Sequence, residues 1–259
     1  MIVNGHFLNV ETYGPAEGPA VVLLHHGLGS VQAWKGQVPV LAQAGYRVVV
    51  YDRWGFGKSA PRPGVLTPDF QADLDDLREV MLTLQIEQAA LVGHSDGGTI
   101  ALLFAAQYPE RLTGLVSVAA HIYVEDKMQP GITGVRQAFL QDERFRSGLR
   151  RVHGDNFEAV FDYWYSGWAR PENLGWDLRP VLKRIACPTL VVQGLEDEHA
   201  TPQHARDLAA GIPGAGLWLV PGAHHMFPQE QPEMFNQRLL EFLSLSLRGA
   251  PLATRQSSR

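Results

Sequence analysis

Residues 91–98 read Leu-Val-Gly-His-Ser-Asp-Gly-Gly. An aliphatic run, 89–93, leads into Gly93-His94-Ser95-Asp96-Gly97, and a small, apolar stretch, 97–107, leads away from it. This is a G-x-S-x-G turn between a predicted strand and a predicted buried helix, the context in which such a serine acts as a nucleophile. A serine at that turn sits on strained backbone, with its hydroxyl projecting above the sheet. Gly93 and Gly97 omit side chains that would collide where strand and helix approach. The following helix points its N-terminus at the serine, where partial positive charge helps hold a developing oxyanion. Chance explains the pattern poorly. Three fixed positions at roughly 7% each give about 0.1 matches in such a chain, before the flanking strand and helix are required.

Outward from this turn the chain alternates. Apolar runs at 20–25, 47–51, 115–119, 189–192 and 217–220 read as further strands, closed by Gly, Pro or Asp. Runs that are apolar on both faces suit a parallel sheet covered by helices on each side. Residues 69–84 are amphipathic, with Leu74, Leu77 and Met81 on one stripe, and 202–210 and 232–245 are two more helical candidates. The rhythm breaks after His121. Residues 122–186 hold helical fragments rich in Trp, Tyr and Arg, with Phe161, Trp164, Tyr165 and Trp168 at i, i+3, i+4, i+7 spacing. Strand rhythm resumes at Cys187-Pro188. The expected architecture is α/β: a mostly parallel central sheet flanked by helices, built from 1–121 and 187–259, with 122–186 inserted as a helical cap. The polar tail, 248–259, lacks periodicity and is expected to fray.

Composition removes several classes of function. The 259 residues carry 22 Lys+Arg and 27 Asp+Glu, a net charge of −5, with no basic cluster to attract nucleic acid. A hydrophobic fraction of 45% and a charged fraction of 19% fit a well-cored globular chain and not a disordered one. The one cysteine, Cys187, rules out an internal disulfide and reads as a small buried hydrophobe. No basic segment followed by an apolar run opens the chain, and no apolar stretch reaches about 18 residues. The expectation is a cytoplasmic enzyme acting on a small molecule, with no nucleic-acid or membrane partner. A homodimer is a common default.

With these motifs in place, the sequence resembles the serine branch of the α/β-hydrolase-fold superfamily over nearly its whole length, most weakly in the insertion. The resemblance implies that the cap is inserted after the sixth strand. His26-Gly27-Leu28-Gly29 is similar to the family's H-G-x-G turn, which implies that the backbone N–H groups of Leu28 and Asp96 form the oxyanion hole. His26 itself is expected to bond the loop backbone. Asp52-Arg53-Trp54-Gly55-Phe56-Gly57-Lys58-Ser59 resembles a D-x-R-G-x-G-x-S turn with one residue shifted. Ser59 is expected to bond within that turn, and Trp54 or Phe56 to line the pocket mouth.

The family's chain order is Ser, then acid, then His. The acid falls three residues after Gly194, which points to Asp197, with Glu196 and Glu198 as competitors. Asp96 is too close to Ser95 in sequence to serve. In the stretch from Pro221 to Pro232, counting back five from Glu230 or seven from Pro232 reaches His225. His224 stands where the family usually has glycine and remains the alternative. No spacing in the chain supports a metal site, and the chemistry needs no cofactor.

The resemblance thus implies acyl transfer to water through Ser95, His225 and Asp197, with a small ester of apolar or aromatic character as the expected substrate. A carbon–carbon hydrolase, an enol-lactonase, a perhydrolase and a non-catalytic binding protein are the alternatives. His121, at the end of a strand, and Trp164 and Trp168, in the insertion, are expected to face the pocket. The aromatic stripe is also suited to packing the insertion onto the core. Arg136, Arg144, Arg146, Arg150 and Arg151 read as a solvated face. An arginine in the pocket would favour carbon–carbon or lactone chemistry.

Overall fold

The computed structural model describes residues 1–247; the expectation for 248–259 lies outside them. Nine strands form in chain order: β1 (Ile2–Val3), β2 (His6–Phe7), β3 (Val10–Tyr13), β4 (Ala20–Leu24), β5 (Arg47–Tyr51), β6 (Ala89–His94), β7 (Leu112–Val118), β8 (Thr189–Gly194) and β9 (Gly216–Val220). β1 and β2 pair only with each other. The other seven make one sheet in the order β3-β5-β4-β6-β7-β8-β9. Only β3 is antiparallel to its neighbour. The helices are α1 (Val38–Gln43), α2 (Gln71–Thr83), α3 (Asp96–Gln107), α4 (Met128–Gln141), α5 (Glu143–His153), α6 (Phe157–Trp168), α7 (Arg179–Leu182), α8 (Pro202–Gly211), α9 (Phe227–Glu230) and α10 (Pro232–Ser246).

Alternation along the strands divides the core in two. Val22, Leu24, Val49, Tyr51 and Leu91 face one side, where Leu74 and Leu77 of α2, Ile100 and Phe104 of α3 and Leu208 of α8 cover them. Val21, Leu23, Val48, Val50 and Val92 face the other, under Leu41 of α1 and Leu239, Phe242 and Leu243 of α10. Both faces are therefore dry, which is why β6 and β8 are buried at every position.

The insertion between β7 and β8 carries α4 to α7, and its one strand-like feature is the bridge between Tyr123 and Asp177. β7 is the seventh strand of the chain and the fifth of the large sheet, not the sixth. The difference arises because the N-terminal segment splits into the separate two-residue strands β1 and β2. Phe139, Leu149, Phe157 and Phe161 form a small cluster within the insertion. Met128, Ile132, Val160, Trp164 and Trp168 join the main core. No described helix is long and apolar enough to cross a membrane.

Candidate active site

The site forms where loops leave the C-terminal ends of β4, β6, β8 and β9. Ser95, between β6 and α3, has φ 54° and ψ −119°, a strained conformation for a residue with a side chain. Its N–H donates to the Val118 carbonyl at 2.8 Å, which fixes the turn to β7. The flanking glycines are obligatory. A Cβ on Gly93 would lie 2.1 Å from the Gly97 carbonyl oxygen, and one on Gly97 would lie 2.2 Å from that of Leu24.

His225 and Asp197 meet as an acid–base pair. His225 Nδ1 lies 2.9 Å from Asp197 Oδ2 and 3.1 Å from Oδ1. The carboxylate also accepts from Gln193 Nε2 at 2.7 Å, His199 N–H at 2.8 Å and Ala200 N–H at 3.2 Å. Burial alone would raise the pKa of Asp197, but His225 and these donors outweigh it and hold the group ionised, well below the usual carboxylate range. For His225, burial disfavours the imidazolium, yet the Asp197 charge and hydrogen bond prevail and raise its pKa. No hydrogen bond joins Ser95 to His225 among the described residues. Both side chains line the same cavity. Nucleophile–base contacts often tighten only around a bound substrate.

The competing residues sit elsewhere. Glu196 is exposed, and Glu198 uses its carboxylate to accept the His225 backbone N–H at 2.9 Å. His224 is exposed, 3.7 Å from Glu198. Asp96 makes no hydrogen bond to His225 among the described residues. It accepts from Trp168 Nε1 at 3.1 Å and lies 3.7 Å from the Arg53 guanidinium. Burial raises its pKa to about 6 against the opposing pull of Arg53 and Trp168.

The turn that carries Leu28 is braced from several sides. His25 accepts the Arg53 N–H on Nε2 at 3.0 Å, so its Nδ1 carries the proton and donates to the His26 carbonyl at 2.7 Å. Gly29 N–H and Arg53 Nη2 reach the same carbonyl at 3.1 and 3.4 Å. It is therefore His25, not His26, that bonds the loop backbone. The His26 ring lies in the cavity wall packed over Gly29, which has no side chain to displace it. Among the described backbone hydrogen bonds neither Leu28 N–H nor Asp96 N–H is taken up. Asp96 opens α3, where no earlier turn supplies an acceptor.

The cavity measures about 300 Å³. His121, Trp164 and Trp168 lie in its wall, with Met128, Ile132 and Leu149 from the insertion. The two tryptophans thus both pack the insertion onto the core and face the cavity. Neither Trp54 nor Phe56 reaches the wall. Trp54 stacks on His6 at 4.0 Å, and Phe56 is buried edge-on against His25 and His153. The shifted turn folds these rings inward onto the core instead of toward the pocket. Ser59 Oγ donates to the Asp52 carbonyl within its own turn.

None of Arg136, Arg144, Arg146, Arg150 and Arg151 lines the cavity. Arg146 pairs with Glu158 at 2.9 Å, Arg150 lies over the Phe157 ring and Arg136 bonds Tyr165.

Two contributions were not read from the sequence. His94 Nε2 lies 2.8 Å from the His225 carbonyl and so steadies the loop that carries His225. Lys127 Nζ reaches the Asp197 carbonyl, and Glu125 accepts from the Thr201 N–H and hydroxyl at 2.8 Å each, which ties the entry of the insertion to the acid loop. No local motif marks such long-range contacts. Among the described residues no group of three or more His, Cys, Asp or Glu is arranged to hold a metal ion.

Comparison with known proteins agrees with this architecture. Residues 19–171 match the family described as alpha/beta hydrolase fold. The chain is 32% identical to human "Serine hydrolase BPHL" over 246 residues, covering 93% of this chain and 84% of that protein. It is 31% identical to "2-hydroxy-6-oxo-6-phenylhexa-2,4-dienoate hydrolase" of Comamonas testosteroni, covering 88% of each. Among solved structures, the enol-lactonase from Burkholderia xenovorans LB400 superposes with a TM-score of 0.74 at 26% identity, over 93% of this chain and 98% of that one. The elbow, the sheet order and these similarities lead to one conclusion: this chain is an enzyme of the alpha/beta hydrolase family.

Proposed function

We propose that this hydrolase cleaves carboxylic esters with an uncharged, apolar acyl group through an acyl-enzyme on Ser95. The observation that carries the reading is that His225, paired with the buried Asp197 behind it, shares the wall of one apolar cavity with a strained serine. Ser95 Oγ attacks the ester carbonyl and His225 Nε2 takes its proton. Asp197 holds the Nδ1–H tautomer and stabilises the imidazolium. The Leu28 and Asp96 N–H groups receive the oxyanion. His225 then protonates the departing alkoxide. Water, deprotonated by the same imidazole, releases the acid and restores Ser95.

A second reading, carbon–carbon or enol-lactone cleavage, is favoured by the activities named for two of the similar proteins. The cavity wall speaks for the ester. A dienoate carries a carboxylate, whereas the acidic side chains in this wall are Asp96 and Glu198, and no Lys or Arg is among its lining residues.

The test is turnover of p-nitrophenyl esters of increasing acyl length by the wild type and Ser95→Ala. The expected result is hydrolysis that favours short to medium acyl chains, given the 300 Å³ cavity, and disappears in the variant. Undiminished activity in Ser95→Ala would refute the mechanism. Inactivity on every ester, with turnover of a dienoate, would favour the second reading.

A further inference from the structure

Of the ten histidines, His153 stands apart, because it comes from the insertion and yet touches the oxyanion turn. It is the last residue of α5, and Gly154, with φ 61°, ends the helix behind it. The imidazole is buried between two loops of the core and packs edge-on against Phe56, with ring centres 6.2 Å apart. Each ring nitrogen has one partner. Gly57 N–H donates to Nδ1 at 2.9 Å, and Nε2 lies 3.1 Å from the Leu28 carbonyl oxygen.

These two contacts fix the tautomer. A nitrogen that accepts from an amide N–H carries no proton, so Nδ1 is bare and Nε2–H donates to Leu28. Burial keeps the ring neutral by holding its pKa below the ordinary value. A doubly protonated ring would set an N–H against the N–H of Gly57.

The consequence lies in the peptide planes. The candidate oxyanion donor, Leu28 N–H, belongs to the Gly27–Leu28 peptide. The plane before it is held at the His26 carbonyl by His25, Arg53 and Gly29. The plane after it is held at the Leu28 carbonyl by His153. With both flanking carbonyls anchored, the Cα atoms of Gly27 and Leu28 are held in place, and the Leu28 N–H is positioned from both sides.

We propose that His153 is a positioning residue for the oxyanion hole: by holding the Leu28 carbonyl, the insertion keeps the Leu28 N–H aimed at the reacting carbonyl. The oxyanion turn is then complete only while α5 is seated on the core. The proposal rests on the serine-hydrolase reading above and adds a requirement that the reading does not contain.

Three variants test it, each assayed on the best p-nitrophenyl ester and for affinity toward a trifluoromethyl ketone with the same acyl chain, which forms a tetrahedral adduct. His153→Phe keeps the ring's bulk and loses both bonds. His153→Gln keeps a donor near the place of Nε2, and His153→Asn keeps an acceptor near the place of Nδ1. The expected result for His153→Phe is a kcat at least 10-fold lower, KM within about twofold of wild type and ketone affinity reduced in step with kcat/KM, as for a weakened oxyanion contact. His153→Gln should restore most of kcat and His153→Asn should not.

Wild-type kcat in His153→Phe overturns the proposal. So does equal rescue by Asn and Gln, which would assign the residue to the Gly57 turn alone. If His153→Phe does not fold, as judged by circular dichroism and thermal melting, the Gln and Asn pair decides by the same criterion. Failure of the underlying reading has a different signature: Ser95→Ala would remain active, or the ketone would not inhibit the wild type.

Discussion

Replacing Asp197 by Asn perturbs the site by one atom, and the hydrogen bonds around it say what must follow. Oδ1 accepts two backbone N–H groups, from His199 and Ala200. The amide oxygen of an asparagine therefore takes that place, and its NH2 falls at the position of Oδ2. There it meets Gln193 Nε2 and His225 Nδ1. The Gln193 amide can turn over and offer its oxygen. The imidazole has no such freedom, so its Nδ1 must become the acceptor and its proton must move to Nε2. That nitrogen can then no longer take the proton of Ser95. In a Ser-His-Asp triad this tautomer error lowers kcat by about 10⁴-fold, or about 5.4 kcal/mol of transition-state stabilisation. The assay is p-nitrophenyl ester hydrolysis at pH 8, with intact-protein melting curves as the control for folding. Glu198→Gln is the comparison. That carboxylate meets the His225 backbone N–H and the exposed His224 and is itself largely exposed, so the loss there should stay below about 10-fold. An Asp197→Asn enzyme within 10-fold of wild type, or a Glu198→Gln loss that exceeds it, would refute the assignment of the acid.

Further expectations concern pH and packing. The active form of His225 is neutral and its pKa is raised above 6.5, so kcat/KM should climb with pH through a midpoint above 6.5. A pH–rate profile with its midpoint below 6 would contradict this. Burial holds His26 and His121 neutral, each with a pKa of about 3, and depresses His25 and His94 well below 6.5. Their contribution to stability is complete above pH 6.5 and is lost as pH falls below it, by up to about 1.4 kcal/mol per pH unit for each group. His225 and the buried carboxyls of Asp96 and Asp76, whose pKa values are raised, act in the opposite sense but are fewer than these four histidines, so the Tm should fall between pH 6.5 and 5; a Tm constant down to pH 4 would count against these burials. Gly97→Ala places a Cβ 2.2 Å from the Leu24 carbonyl oxygen, where backbone must move. A loss of roughly 3 kcal/mol in denaturant unfolding is expected, and a change below 0.5 kcal/mol would show that the strand and helix are not in such close contact.

Much of the fold was legible because its signals are local. The aliphatic runs at β4 to β8 are buried on both faces, and such runs need no partner to be recognised. β3 was missed because Val10-Glu11-Thr12-Tyr13 lies at the sheet edge and is half-exposed, so it carries no apolar run. α1 was missed because six residues give too short a period to read. At the site, the elbow motif singled out Ser95 and the family resemblance singled out Asp197 and His225, which the structure pairs with each other. The roles of His25, His94 and His153 were not, because their partners lie as far as 131 residues away and are backbone groups, which no side-chain pattern advertises. Asp96 was read only for its backbone, yet its buried carboxylate lies in the cavity wall with Trp168, which bonds it, and has Arg53 behind it.

The most direct measurement is covalent labelling with a fluorophosphonate, followed by intact mass and peptide mapping. The phosphoryl adduct should form once per chain, on Ser95, and be strongly slowed in His225→Ala and absent in Ser95→Ala. A wild-type enzyme that turns over esters yet takes no label, or takes it on any residue other than Ser95, would contradict the account.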